Sequence, residues 1–167
     1  MPLPTVPPHL PPLARMGLGV FCSAALVAAL GRTLGSPLLI APFLSTAALK
    51  HSAPHLPGVA PRRVVGGHLV GACVGVAVFA GLGGGALAVA LAASVAAVAM
   101  MCLDVLHAPA VATAAVAIQH QGDLWFPLTV VLLGAATLVA TTMVLSPLLH
   151  GQRYPVRRPA LEAAPNS

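Results

Sequence analysis

The stretch Val64–Leu82 reads VVGGHLVGACVGVAVFAGL and is apolar along almost its whole length. An α-helix needs about 20 mostly apolar residues to cross the hydrocarbon core of a bilayer. Ala86–Leu106 and Leu124–Leu145 meet the same criterion. Met16–Leu30 meets it once the three preceding residues are added, because the stem of Arg15 can lie in the apolar zone while its charge reaches water. The sequence therefore predicts four long transmembrane helices.

Two shorter apolar segments, Pro37–Leu49 and Pro109–Ile118, lie between the long ones. At about 1.5 Å per residue, the second would span only roughly 15 Å, half the hydrocarbon thickness. Paired short, proline-containing segments at matching positions of two halves are typical of transporter substrate sites. We therefore expect an all-α integral membrane protein with four long transmembrane helices and two short broken or half-helix segments. The two halves, about 13–83 and 86–148, would form an inverted repeat of three segments each.

The composition agrees with a membrane protein and excludes several other classes. Hydrophobic residues make up 58% of the 167 residues and charged residues only 7%, against about a quarter in soluble domains. The net charge of +5 comes from basic residues at the edges of apolar segments, so we expect a lipid bilayer rather than a nucleic acid as the partner. Cys22, Cys73 and Cys102 lie inside apolar stretches without ligand spacing, so no metal or cofactor is expected.

Charge and length favour different topologies for the short segments. If all six segments cross and the N-terminus is cytoplasmic, only Arg32 lies outside, as the positive-inside rule favours, whereas four crossings split the basic residues evenly. The length of the short segments instead favours re-entrant segments that do not cross the membrane. The charge and length arguments agree if the short segments are discontinuous elements that line a cavity. We predict a multi-pass protein of the cell membrane, with a Pro-rich disordered lead over 1–12, one transmembrane domain over 13–150 and a cytoplasmic tail over 151–167.

The starts of the two short segments form the first candidate site. Gly35-Ser36-Pro37 and His107-Ala108-Pro109 each place a proline where a helix would begin. Ser36 can cap such a helix but Ala108 cannot, which leaves free N–H groups that favour an anion. His107 adds a hydrogen-bond donor, or a full charge once protonated. The alternative is a simple helix break, with His107 at the membrane interface and hydrogen-bonded to a carbonyl.

Other polar residues inside the apolar segments extend this site. His68 is ionisable within a membrane segment, unless it snorkels to the interface, and Gly66 and Gly67 would let another backbone approach. Asp104 would share a face with His107 if its helix continued. The expected substrate-binding residues are Ser36, Pro37, Ser45, Thr46, Gly66, Gly67, His68, His107, Ala108, Pro109 and Thr113.

A stripe of glycines in the third segment predicts close helix packing. Gly71-Ala-Cys-Val-Gly75 is a GxxxG motif, which allows two helix backbones to approach in lipid. We expect packing within one chain, with a homo-oligomer seam as the alternative. No enzyme is expected, because Asp104, Asp123 and Glu162 are the chain's only acids and no triad or phosphate loop accompanies them.

From about Leu34 to Tyr154 the chain resembles the HPP family of small integral membrane proteins. Ile40-Ala41-Pro42-Phe43 resembles its first short block, and Pro61-Arg62 with Gly66-Gly67-His68-Leu69 resembles its most specific block. Leu106-His107-Ala108-Pro109-Ala110 stands at the His-Pro-Pro motif, with Ala108 in place of the first proline, and Arg153-Tyr154-Pro155 resembles the end of the last helix. The resemblance implies a multi-pass membrane protein whose plant and cyanobacterial relatives are implicated in nitrite transport.

Together, residues and resemblance predict a transporter or channel for a small solute. A small anion such as nitrite suits the free helix N-termini and the scarcity of acids in the apolar segments. The alternative is a non-transporting membrane scaffold or partner subunit.

Overall fold

The computed structural model describes residues 10–38 and 40–156, and every regular element in that part of the chain is helical. A 3₁₀ turn at Pro57–Val59 precedes the third helix, and a π-helical turn at Pro127–Leu132 leads into the sixth. The predicted all-α fold is confirmed. Most of the predicted lead and of the predicted tail lies outside the described residues. The helices are α1 (Pro12–Thr33), α2 (Ala41–Ser52), α3 (Pro61–Leu82), α4 (Ala86–Cys102), α5 (Ala108–Gln119) and α6 (Leu133–His150).

Three helical stretches in the described part are long and apolar enough to cross a membrane: α1, α3 and the continuous Pro127–His150. The fourth long segment is shorter than the expected Ala86–Leu106, since α4 ends at Cys102. Asp104 adopts a left-handed backbone with φ of 53°, which stops the helix. α4 and α5 are therefore shorter apolar helices between the full-length ones.

Successive helices run in opposite directions. The start of α1 and the ends of α2 and α6 line one cavity, which contains Pro12, His51 and His150. The start of α3 meets the end of α4, where Arg62 donates to the Leu103 carbonyl, and the chain after α5 reaches Phe79 near the end of α3. In an inverted repeat, α1, α2 and α3 correspond to α4, α5 and α6. The packing agrees with this correspondence: α1 contacts α2 and α6 in the way that α4 contacts α5 and α3.

The basic residues gather at one end of this bundle, which we call the basic end. It is marked by Arg15 in the first turn of α1, by Arg62 and Arg63 at the start of α3, and by Arg153 after α6. Arg32 lies at the opposite end, near the end of α1. This distribution is the one expected if all six segments cross the membrane, with Arg32 on the side opposite the other arginines. We expect the basic end to face the cytoplasm.

The first short helix begins later than expected. α2 starts at Ala41 with Ile40 at its N-cap, so Ser36 does not cap it and the prediction of a helix from Pro37 is wrong. The reason is Pro42, whose ring would clash with a carbonyl four residues earlier if it lay inside a helix. A first-turn position avoids that clash. Ile40-Ala41-Pro42 is thus the counterpart of His107-Ala108-Pro109, and neither helix start has a side-chain cap.

The glycine stripe of α3 packs against α5 of the same chain. A methyl group on Gly71 would overlap the Ala110 carbonyl oxygen, and one on Gly75 would overlap the Ala114 carbonyl oxygen. Backbones this close are possible only because glycine has no side chain. The interpretation as packing within one chain is confirmed, and the stripe fixes how deeply α5 sits against α3.

Candidate functional site

Four fully buried polar side chains from α2, α3 and α5 meet inside the bundle: Thr46, His68, His107 and Thr113. Thr46 Oγ1 lies 2.9 Å from Nε2 of both imidazoles, and His68 Nδ1 lies 2.7 Å from Thr113 Oγ1. His107 Nδ1 lies 2.8 Å from the Gly58 carbonyl oxygen, in the turn before α3. We call these four side chains the histidine–threonine cluster.

The hydrogen positions in the neutral cluster follow from its partners. The Gly58 carbonyl only accepts, so His107 Nδ1 must carry a hydrogen and its Nε2 must accept one from Thr46. Thr46 Oγ1 then accepts from His68 Nε2–H, and Thr113 donates to His68 Nδ1. One arrangement of hydrogens satisfies all four contacts: each group donates to the next in the order Thr113, His68, Thr46, His107 and the Gly58 carbonyl.

The cluster can also hold one additional proton without losing a hydrogen bond. Thr46 Oγ1 lies 2.9 Å from the Pro42 carbonyl oxygen as well. If His107 Nε2 gained a hydrogen, the Thr46 hydroxyl could rotate towards Pro42 and accept from both imidazoles. Rotation of one hydroxyl therefore separates the two protonation states.

Glycines and one aromatic ring position the two histidines. A methyl group on Gly67 would lie 2.9 Å from His107 Cβ, and one on Gly66 would lie 3.0 Å from Val105, so the chain entering α5 rests directly on α3. Phe43 packs edge-on against His68, with ring centroids 4.9 Å apart. Phe43 itself lies against Gly134 of the sixth helix, which has no side chain in its way. The cluster is thus held from both halves of the bundle.

Lys50 is the most buried cationic side chain in the described part, with 1% of its surface exposed. Its Nζ donates to the Leu138 carbonyl oxygen at 2.8 Å and lies 4.8 Å from the ring centre of Tyr154. Tyr154 closes this site from the segment after α6 and donates to the Val59 carbonyl, and its burial raises the pKa of its hydroxyl. The predicted tail, 151–167, therefore contains near its start a residue that packs into the bundle.

No carboxylate of the described chain accompanies Lys50 in the interior. Asp104 and Asp123 are both exposed, and Asp104 pairs with Arg62 and Arg63 at the surface. A buried ammonium group without a counter-ion is unfavourable, so a bound anion would offset its desolvation. A lysine with one protein acceptor for three donor hydrogens has donors left for such a ligand.

The structure brings together six of the expected site residues and separates the others. His68, His107, Thr46 and Thr113 form the cluster, and Gly66 and Gly67 support it. The other five lie elsewhere. At the start of α5, Pro109 is half-buried and Ala108 is exposed, and Ser45 is exposed on α2. Ser36, half-buried, and Pro37, exposed, lie between α1 and α2, at the end of the bundle opposite the basic end.

Three sequence interpretations are changed by this geometry. The pairing of Asp104 with His107 is absent, because α4 ends at Cys102, before both residues, and Asp104 pairs with the arginines at the start of α3. His68 is fully buried and does not snorkel to the surface, and His107 is fully buried, with its Nδ1 on the Gly58 carbonyl as the helix-break alternative expected. Lys50, one of the basic residues counted in the charge argument, is buried in the bundle. Its spacing from Phe43 and Thr46 places all three on one face of α2, and this spacing is the sequence feature that indicates an inward-facing lysine.

Comparison with protein families identifies the chain. The model described as "HPP, transmembrane region" matches residues 6–155, nearly the whole sequence. Comparison with curated proteins and with solved structures finds no significant match. The helical bundle, its apolar spans and this match together show that the chain belongs to the HPP family of transmembrane proteins.

Proposed function

We propose that this protein transports a small monovalent anion, such as nitrite, through the centre of the bundle. The observation that carries the proposal is Lys50, a buried amino group in an interior whose described part holds no carboxylate. Its contacts are the Leu138 carbonyl oxygen and the ring of Tyr154, neither of which carries a full negative charge. Such an interior favours anions and repels cations.

The arrangement of the short helices supports the same function. α2 and α5 occupy equivalent places in the two halves, and each begins with an uncapped alanine-proline turn. Thr46 and Thr113, each in the second turn of its short helix, contact opposite nitrogens of His68. Sites built from paired short helices at a repeat interface are typical of secondary transporters.

Flux measurements on purified protein distinguish this function from that of a non-transporting scaffold or partner subunit. We expect proteoliposomes to take up nitrite faster than protein-free liposomes, with nitrate, formate and chloride as the comparison anions. Sodium and potassium should not cross faster than in protein-free liposomes, because Lys50 would oppose them. If no tested anion moves faster than without protein, the scaffold alternative replaces this proposal.

A further inference from the structure

An open cavity of about 490 Å³ lies at the basic end, between the start of α1 and the ends of α2 and α6. Arg15, His51, His55 and His150 are among its lining residues, and none of the described lining residues is acidic. We call it the basic cavity. Its volume is within the usual range of ligand sites, and each of its polar lining side chains is able to donate a hydrogen bond.

Arg15 is the fixed cation of the basic cavity. Its Nε is buried and has no hydrogen-bond partner within the described part of the chain. A guanidinium group has a rigid set of donors that fits the oxygen atoms of an oxyanion, and an unpaired buried donor is costly. An anion in the cavity would therefore meet the permanent positive charge of Arg15, whose guanidinium has at least one donor without an acceptor in the described part of the chain.

The floor of the basic cavity leads towards the interior. His51 is 4% exposed, and its ring lies 3.1 Å from Ser23 Oγ on one side and 3.2 Å from His150 Nε2 on the other. Gly19 makes room for this ring, because a methyl group there would overlap it. His51 directly follows Lys50 in α2, so the buried lysine lies in the same helical turn as the cavity floor, outside the lining itself.

We propose that the basic cavity binds a small inorganic oxyanion, with Arg15 as the anchoring cation and His150, which His51 holds in place, as a further hydrogen-bonding group. The inference rests on the proposed function, for which the cavity is the mouth at the basic end. A lipid phosphate shares this chemistry, and the free anion is favoured because the cavity reaches inward to the buried ring of His51 rather than ending at the surface.

Thiol labelling tests the cavity without measuring flux. Ser52→Cys places a reactive cysteine in its exposed lining, on a background without Cys22, Cys73 and Cys102, and Gly84→Cys at the opposite end is the reference. The labelling rates of an anionic and a cationic methanethiosulfonate reagent are measured in lipid-free maltoside detergent. We expect the ratio of the anionic to the cationic rate to be about 10-fold higher at Ser52→Cys than at the reference. Sodium nitrite should slow the reaction more than sodium gluconate at equal ionic strength.

Variants of Arg15 test whether this residue causes the preference for anionic reagents. Arg15→Gln should remove most of the reagent preference, Arg15→Lys should retain it, and Arg153→Gln should leave it unchanged, because Arg153 lies at the same end outside the lining. Equal preference at both cysteines, or an unchanged preference in Arg15→Gln, overturns the inference. Protection by phosphatidylglycerol vesicles but not by nitrite also overturns it, in favour of a lipid site. Arg15-dependent labelling in a protein without anion flux would support the site and refute the transport function instead.

Discussion

Replacing Lys50 with methionine should lower nitrite flux into proteoliposomes by roughly 10- to 100-fold. Hydrogen bonds to charged groups contribute about 1.5–3 kcal/mol, and about 1.4 kcal/mol corresponds to a factor of ten in rate. Methionine keeps most of the side-chain volume and removes the donor that faces the interior. The measurement is initial nitrite uptake at matched protein density.

The variant should remain folded, which separates a transport role from a structural one. Replacing a buried charge with an apolar side chain is often neutral or stabilising. The Leu138 carbonyl also keeps the Thr142 hydroxyl as a hydrogen-bond donor. Arg32→Met is the matched control, since Arg32 is exposed at the opposite end, and it should transport at the wild-type rate. Wild-type flux in Lys50→Met would remove Lys50 from the pathway.

Gly71→Leu should either prevent folding or destabilise the protein by about 3 kcal/mol or more. The first carbon of the new side chain would overlap the Ala110 carbonyl oxygen, and the rest would push α5 away from α3. For a chain of this size, such a loss lowers the unfolding midpoint by roughly 6–12 °C. Thermal unfolding in detergent, followed by the recovery of monodisperse protein, measures it.

Gly81→Leu is the control for this prediction. Gly81 lies in the same helix, and a methyl group there would meet nothing within 4 Å. Its substitution should change stability by about 0.5 kcal/mol or less. If the two variants unfold at the same temperature, the close contact between α3 and α5 does not hold the bundle together.

The sequence predicted the membrane helices well because length and apolar composition decide them. α3 and the continuous helical stretch Pro127–His150 lie almost where the apolar stretches do. The ends of the short elements were harder to predict, since single residues determine them. Pro42 delays the start of α2, and the left-handed Asp104 ends α4 early. A hydropathy pattern averages over such residues and does not contain their backbone geometry.

The site was predictable where an unusual residue lies in an unusual place. His68 within an apolar stretch and His107 before a proline both stood out, and the structure brings them to one hydroxyl, that of Thr46. Lys50 did not stand out, because its burial depends on distant contacts with Leu138 and Tyr154. Contacts made by the chain after α6 cannot be inferred from local sequence. The expected role of Ser36 failed for the same reason as the expected start of α2.

Nuclear magnetic resonance of ¹⁵N-labelled imidazoles tests most directly whether an anion reaches the buried core. Sodium nitrite is titrated into the full chain in detergent, with sodium gluconate as the ionic-strength control. We expect saturable shifts of the His68 and His107 signals, and none for His120, which stacks on Phe126 after α5. The shifts should disappear in Lys50→Met. Unchanged His68 and His107 signals at nitrite concentrations that saturate transport would contradict an anion pathway through this core.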